Sequence, residues 1–151
     1  MNGAESYLTG AEQALAKVRQ GLPQIKQAAK LIADSIMAGQ GIFSFGASHS
    51  FIMTAELVYR SGGLMLVNPI QPYGMNLAVR PMTLTSQLER LPDLGRVLLE
   101  HSPVKKGDVL LLTSTSGRNA IVIDMALAAI EKGLHVVALT SSDSTSKVTI
   151  Q

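Results

Sequence analysis

The chain has 151 residues, 46% of them hydrophobic and 16% charged, a length and apolar fraction that suit one folded domain and argue against intrinsic disorder. It contains no cysteine, which removes disulfide frameworks, thiolate metal sites, iron–sulfur ligation and cysteine nucleophiles together. Thirteen Lys and Arg against eleven Asp and Glu leave a net charge of only +2, and Lys105-Lys106 is the only adjacent basic pair, so no nucleic-acid surface is expected.

From Ala4 to about Met37 apolar residues recur every three or four positions (Leu15, Val18, Leu22, Ile25, Ala28 or Ala29, Ile32, Ile36), which predicts helix with a break at Gly21-Leu22-Pro23. Gly39-Gln40-Gly41 closes it. Ile42 to Phe45 reads as a strand, and Gly46-Ala47-Ser48 turns into a helix from about His49 to Ser61. Leu64 to Val67 reads as a second strand. Asn68 to Met82, with Pro69, Pro72 and Pro81, is a long irregular loop of the kind that is more often functional than idle. Thr85 to His101 is a helix interrupted at Pro92, and Lys105 to Asp108 is a turn. Val109 to Thr113 is the clearest strand, Ser114 to Gly117 a turn of small residues, Asn119 to Lys132 a helix, and His135 to Thr140 a fourth strand. A polar stretch from Ser141 to Ser146 follows, and Val148-Thr149-Ile150-Gln151 reads as the start of an element the chain does not finish.

The strands are short continuous apolar runs that alternate with helices. That pattern predicts an α/β sandwich around a parallel sheet covered on both faces. The N-terminus lacks the basic and apolar regions of a signal peptide, and no apolar stretch approaches the roughly 20 residues of a membrane span, so a cytoplasmic protein is expected.

In a parallel sheet, ligands sit beyond the carboxyl ends of the strands. Two strands exit there into hydroxyl-rich turns, Gly46-Ala47-Ser48-His49-Ser50 and Ser114-Thr115-Ser116-Gly117-Arg118-Asn119. Each turn leads into a helix N-terminus, whose free N–H groups and positive dipole end favour an anion. Ser48, Ser50, Ser114, Thr115, Ser116, Arg118 and Asn119 are therefore the candidate phosphate-binding residues. Ordinary helix capping is the competing account of the same residues. Neither turn carries a dinucleotide or P-loop glycine pattern.

Strand–Gly-x-x-x-Ser–helix followed by strand–Ser-Thr-Ser-Gly-Arg-Asn–helix resembles the SIS (sugar isomerase) phosphosugar-binding family over about Ala11 to Thr140. Leu112 to Asn119 is similar to its phosphate-binding loop. Gly46 to Ser50, continued by Ala55 to Arg60, is similar to the first loop and helix of phosphoheptose-isomerase-like members, with fewer glycines in the loop. The resemblance implies a flavodoxin-type, doubly wound three-layer sandwich, with a further strand and helices beyond Gln151 so that the C-terminal part is missing here. Residues 1–40 would form a helical segment packing on an α/β domain of residues 41–151.

The resemblance also puts a catalytic glutamate at Glu56, which as a base would shuttle a proton between C1 and C2 of a sugar through an enediolate once partial burial raised its pKa. A surface Glu56–Arg60 pair is the plain alternative. His49, in the first turn of its helix, is a candidate to orient or protonate a sugar oxygen, or a simple polar cap. His49, His101 and His135 have no carboxylate at ligand spacing, so no metal is expected, and no cofactor is implied. The expected function is a sugar-phosphate aldose–ketose isomerase. Its rivals are a non-catalytic sugar-phosphate sensor and an amino-sugar-phosphate lyase or etherase. The partners expected are a phosphorylated sugar and further copies of the chain, as a homodimer or homotetramer that buries the stripe Leu15 to Ile36 and lets a neighbour's Asn68–Met82 loop complete the site, with neither nucleic acid nor membrane.

Overall fold

The computed structural model describes residues 2–141, so the polar stretch beyond Ser141 and the fragment Val148–Gln151 lie outside it. The chain divides into two units, one up to Asp34 and one from Ser35 onward.

The first unit consists of α1 (Gly3–Gln20) and most of α2 (Leu22–Met37). Asn2 caps α1 reciprocally: its side chain accepts from the Glu5 N–H while the Glu5 carboxylate accepts from the Asn2 N–H, both at 2.9 Å. The interruption is narrower than the sequence suggests, a single residue at Gly21. Pro23 falls in the first turn of α2, where its missing N–H costs no hydrogen bond.

The second unit contains a four-stranded parallel sheet of β1 (Ile42–Gly46), β2 (Val67–Pro69), β3 (Val109–Ser114) and β4 (His135–Thr140), in the order β2-β1-β3-β4. A short 3-10 turn (Ser48–Ser50) and α3 (Phe51–Leu57) follow β1, and α4 (Leu84–Leu88) and α5 (Leu94–Glu100) precede β3. Helix α6 (Ala120–Glu131) joins β3 to β4.

Alternation along the strands sends the two faces to different helices. Phe43, Phe45, Leu110 and Leu112 join Leu99 of α5 with Ile121 and Met125 of α6 in the main core cluster. Ser44 points the other way, where its hydroxyl meets that of Thr54 in α3 at 2.9 Å with both residues fully buried. The α/β architecture with helices on both faces is thus the one the apolar runs predicted.

Three expectations need correction. The helix after β1 ends at Leu57, not Ser61, because Val58 is extended and Tyr59 takes a φ of +50°. Strand β2 begins where the apolar run ends: Val67 pairs with Ile42 and Pro69 with Ser44, while Leu64, Met65 and Leu66 stay exposed. The partner strand sets that register, and Pro69 is tolerated because β2 is an edge. Thirdly, β4, at the other edge of the described sheet, is exposed along much of its length and is not covered on both faces as the central strands β1 and β3 are. The interruption expected at Pro92 within Thr85–His101, by contrast, is present and separates α4 from α5, with Asp93 at φ +64° between them.

Helices α5 and α6 approach most closely at Gly95. A Cβ there would lie 2.0 Å from the Ile121 carbonyl oxygen and 2.7 Å from the Met125 nitrogen. Arg96 clamps the same pair of helices through two bonds to Glu131, at 2.6 and 3.1 Å, and holds that carboxyl below the usual carboxylate range. Gly95→Ala is expected to force the helices apart and cost about 1–3 kcal/mol, read as a fall in Tm of about 2–4 °C per kcal/mol in thermal denaturation.

Candidate functional site

The chain reverses its direction across the sheet between β1 and β3, the switch point where ligands of such sheets bind. A cleft of about 330 Å³ opens there. Ala47, Ser48, His49 and Ser50 line it from the turn after β1, and Thr113 to Ser116, Arg118 and Asn119 from the turn after β3. Every candidate phosphate-binding residue, together with His49, therefore reaches one cleft.

Backbone geometry shapes both turns. Ser48 adopts φ +58°, and its N–H donates to the Met75 carbonyl at 2.8 Å, so the loop after β2 pins the first turn through a buried methionine. In the second turn Gly117 takes φ +65°, which glycine adopts without strain, and its N–H donates to the Ser114 hydroxyl at 3.1 Å. Ser114 is buried and its hydroxyl shapes the turn, while Thr115 and Arg118 are exposed.

Ordinary capping does not explain these side chains. Neither Ser50 before α3 nor Asn119 before α6 makes a side-chain cap bond. Among the described residues, the side chains of Ser48, His49, Ser50, Thr115, Arg118 and Asn119 form no hydrogen bond or ion pair. The cleft thus presents several uncommitted donors and one cation beside two helix starts, an arrangement suited to an anion with several oxygens.

Glu56 is not in that cleft. It lines a neighbouring one of about 410 Å³ with Phe51, Ile52, Ala55 and residues of the loop after β2, among them Gln71 and Asn76. Ser48 belongs to the walls of both. The Glu56 side chain is exposed and ion-paired with Arg60, so the partial burial on which the base reading leaned is absent and the plain surface pair is present. The Asn68–Met82 loop lines this cleft within its own chain.

Glu89 lines the serine cleft and was not singled out from the sequence. It follows α4, and its carbonyl accepts the Ile121 N–H at 3.3 Å, which joins it to the first turn of α6. Nothing local in the sequence marks it, because its place depends on how α4 meets α6. Among the described residues no group of His, Asp and Glu could hold a metal ion, and no helix is long and apolar enough to cross a membrane.

The arrangement of strand, hydroxyl turn and helix matches a known family over residues 6–141. The chain belongs to the SIS domain family. Its relatives include a UPF0309 protein of Oceanobacillus iheyensis, 48% identical over 126 residues that make up 83% of this chain and 51% of that protein. Another is a UPF0309 protein of Shouchella clausii, 50% identical over 115 residues, 76% of this chain and 47% of that one. This SIS chain spans about half the length of these curated relatives. Among solved structures it is similar to a phosphoheptose isomerase from Francisella tularensis, with a TM-score of 0.71, 20% identity and coverage of 95% of this chain and 77% of that one. A phosphoheptose isomerase from Neisseria gonorrhoeae gives a TM-score of 0.66 at 21% identity, covering 97% and 79%. At such identities the likeness is one of fold, and it agrees with the parallel sheet and its flanking helices.

Proposed function

We propose that this SIS domain binds a phosphorylated sugar, with the phosphate in the serine cleft, and that the complete protein interconverts aldose and ketose sugar phosphates. The observation that carries the first half is the meeting of two hydroxyl turns in one cleft at the switch point, with the side chains of Ser48, Ser50, Thr115, Arg118 and Asn119 uncommitted. Ser50, Thr115 and Asn119 would donate to phosphate oxygens, and Arg118 would add a charge-assisted pair. Ser48, shared between the clefts, lets a ligand held by its phosphate extend towards Glu56. There Glu56 would take the proton from C2 and return it to C1, with His49 serving a sugar oxygen. The phosphoheptose isomerases among the fold neighbours support this class of chemistry.

Binding without catalysis is the second reading, favoured by the exposure of Glu56 and its pairing with Arg60. Under either reading the working unit is an oligomer of the chain in the cytoplasm, and residues 1–40 serve the α/β domain that follows them.

Ser50→Ala and Thr115→Ala are each expected to weaken a sugar phosphate by about 1–3 kcal/mol, the worth of one hydrogen bond to a charged group, and to leave the already weak binding of the unphosphorylated sugar unchanged. Titration calorimetry of both sugars checks this. Equal affinity of the wild-type protein for the two would remove the phosphate site.

A further inference from the structure

Arg118 and Glu89 both line the serine cleft and do not pair with each other. Among the described residues neither side chain makes a hydrogen bond or an ion pair. Arg118 is the counter-charge that a phosphate calls for. Glu89 is the reverse. A carboxylate only accepts hydrogen bonds, and so does a phosphate dianion, so the two repel and have no proton to share.

The fold nevertheless holds Glu89 there. Its N–H donates to the Thr85 carbonyl at 2.9 Å, and its own carbonyl accepts the N–H of Ile121, a fully buried residue in the first turn of α6, at 3.3 Å. The backbone is thus tied to α4 on one side and α6 on the other. The side chain is half-buried, whereas that of Glu56 is exposed. A carboxylate drawn partly out of water needs donors to replace the lost solvation, and the protein supplies none to Glu89. Water serves while the cleft is open. A ligand that displaces this water must bring donors of its own. The cleft, at about 330 Å³, exceeds what a phosphate group fills, so part of the attached carbon chain lies in it as well.

We propose that Glu89 reads the hydroxyl groups beside the phosphate, so that the serine cleft selects a polyhydroxylated phosphomonoester over bare phosphate and over an alkyl phosphate. This inference rests on the phosphate reading of the cleft and extends it from the anion to the carbon chain. Sugar hydroxyls donate to the carboxylate in charge-assisted bonds, roughly twice as strong as bonds between neutral groups. Inorganic phosphate or an alkyl phosphate strips water from Glu89, returns no donor and adds like charge. A polar group left unpaired in this way is an effective means of rejecting the wrong ligand. Glu56 lines the neighbouring cleft, so the two carboxylates serve different parts of the ligand.

Sorbitol 6-phosphate and hexyl phosphate test this directly. They carry the same phosphate on chains of equal length, differ in their hydroxyls, and lack the carbonyl group that isomerisation needs. In titration calorimetry the wild-type protein is expected to bind sorbitol 6-phosphate at least about tenfold more tightly than hexyl phosphate. Glu89→Gln keeps the shape and one acceptor oxygen but removes the charge. It is expected to shrink that ratio about fivefold and to raise the affinity for inorganic phosphate about threefold to tenfold. Glu89→Asp keeps the charge and is expected to keep inorganic phosphate weak. Equal wild-type affinities for the two phosphomonoesters, an unchanged ratio in Glu89→Gln, or a loss shared equally by all three ligands overturns the role of Glu89 and leaves the phosphate site standing. Failure of the phosphate reading itself is distinct: sorbitol would bind as tightly as sorbitol 6-phosphate, and the role of Glu89 would fall with it.

Discussion

Glu56→Gln is expected to leave sugar-phosphate affinity within about twofold and to lower exchange of the sugar C2 proton by about 10²–10⁴, the contribution of a positioned general base. The amide keeps the shape of the carboxyl group and one acceptor oxygen, but it cannot accept the proton. The substitution also removes the ion pair with Arg60, and exposed i,i+4 pairs contribute only about 0.3–0.5 kcal/mol, so thermal stability should barely move. Deuterium incorporation at C2 is the measurement, since it needs no knowledge of the product. An open carboxylate is a poorer base than a covered one, because burial is what pushes an acid towards neutrality. A sugar lying across Ser48 into the second cleft would supply that cover on binding. A wild-type protein that binds sugar phosphates tightly and never exchanges the proton would sink the isomerase reading and leave the binding module.

The strands of the sheet interior were legible because their burial is written as continuous apolar runs. Val109 to Leu112 has no polar residue, and both its neighbours in the sheet cover it. The edges were harder to read. Leu64-Met65-Leu66 is as apolar as any strand here, yet pairing starts only at Val67, where β1 offers a register. Helix ends failed for a similar reason. Nothing between Leu57 and Ser61 forbids helix by composition, and the stop at Val58 and Tyr59 is a backbone choice. Tertiary context decided each of these against local propensity.

The site divides along the same line. Both serine turns could be placed on one sheet edge because parallel strands carry their exits there, and that topology follows from the alternation of strand and helix. Glu89 could not be placed, since its position depends on the packing of α4 beside α6, two elements whose contact leaves no periodic mark. Glu56 was identified by resemblance, but its separation from the serine cleft arises from the short reach of α3, with Ser48 at one end of the wall and Glu56 one and a half turns into the helix. Spacing along the chain gave no means to tell one cleft from two.

Gly46 is where fold and site depend on the same atoms. It ends β1 opposite Thr113, and the 3-10 turn folds directly back over it. A Cβ at this position would lie 2.4 Å from the Ser50 carbonyl oxygen, 2.7 Å from the Ser50 carbonyl carbon and 3.0 Å from the Phe51 nitrogen. All three are backbone atoms, so no side-chain rotation relieves the clash and the turn itself must lift. Gly46→Ala is therefore expected to cost about 1–3 kcal/mol, a Tm loss of about 2–4 °C per kcal/mol, through overpacking. Lifting the turn also moves Ser48 and Ser50 away from the second turn, so sugar-phosphate affinity should fall at least about tenfold. Gly10→Ala is the matching control. That glycine lies within α1 with nothing within 4 Å of its would-be Cβ, so the change should add about 0.5–1 kcal/mol of helix stability and leave binding alone. Calorimetric affinity measured beside thermal melts separates the two effects. A Gly46→Ala protein that melts and binds as the wild type does would mean that the turn has slack, and that the closeness of the two serine loops is not what forms the site.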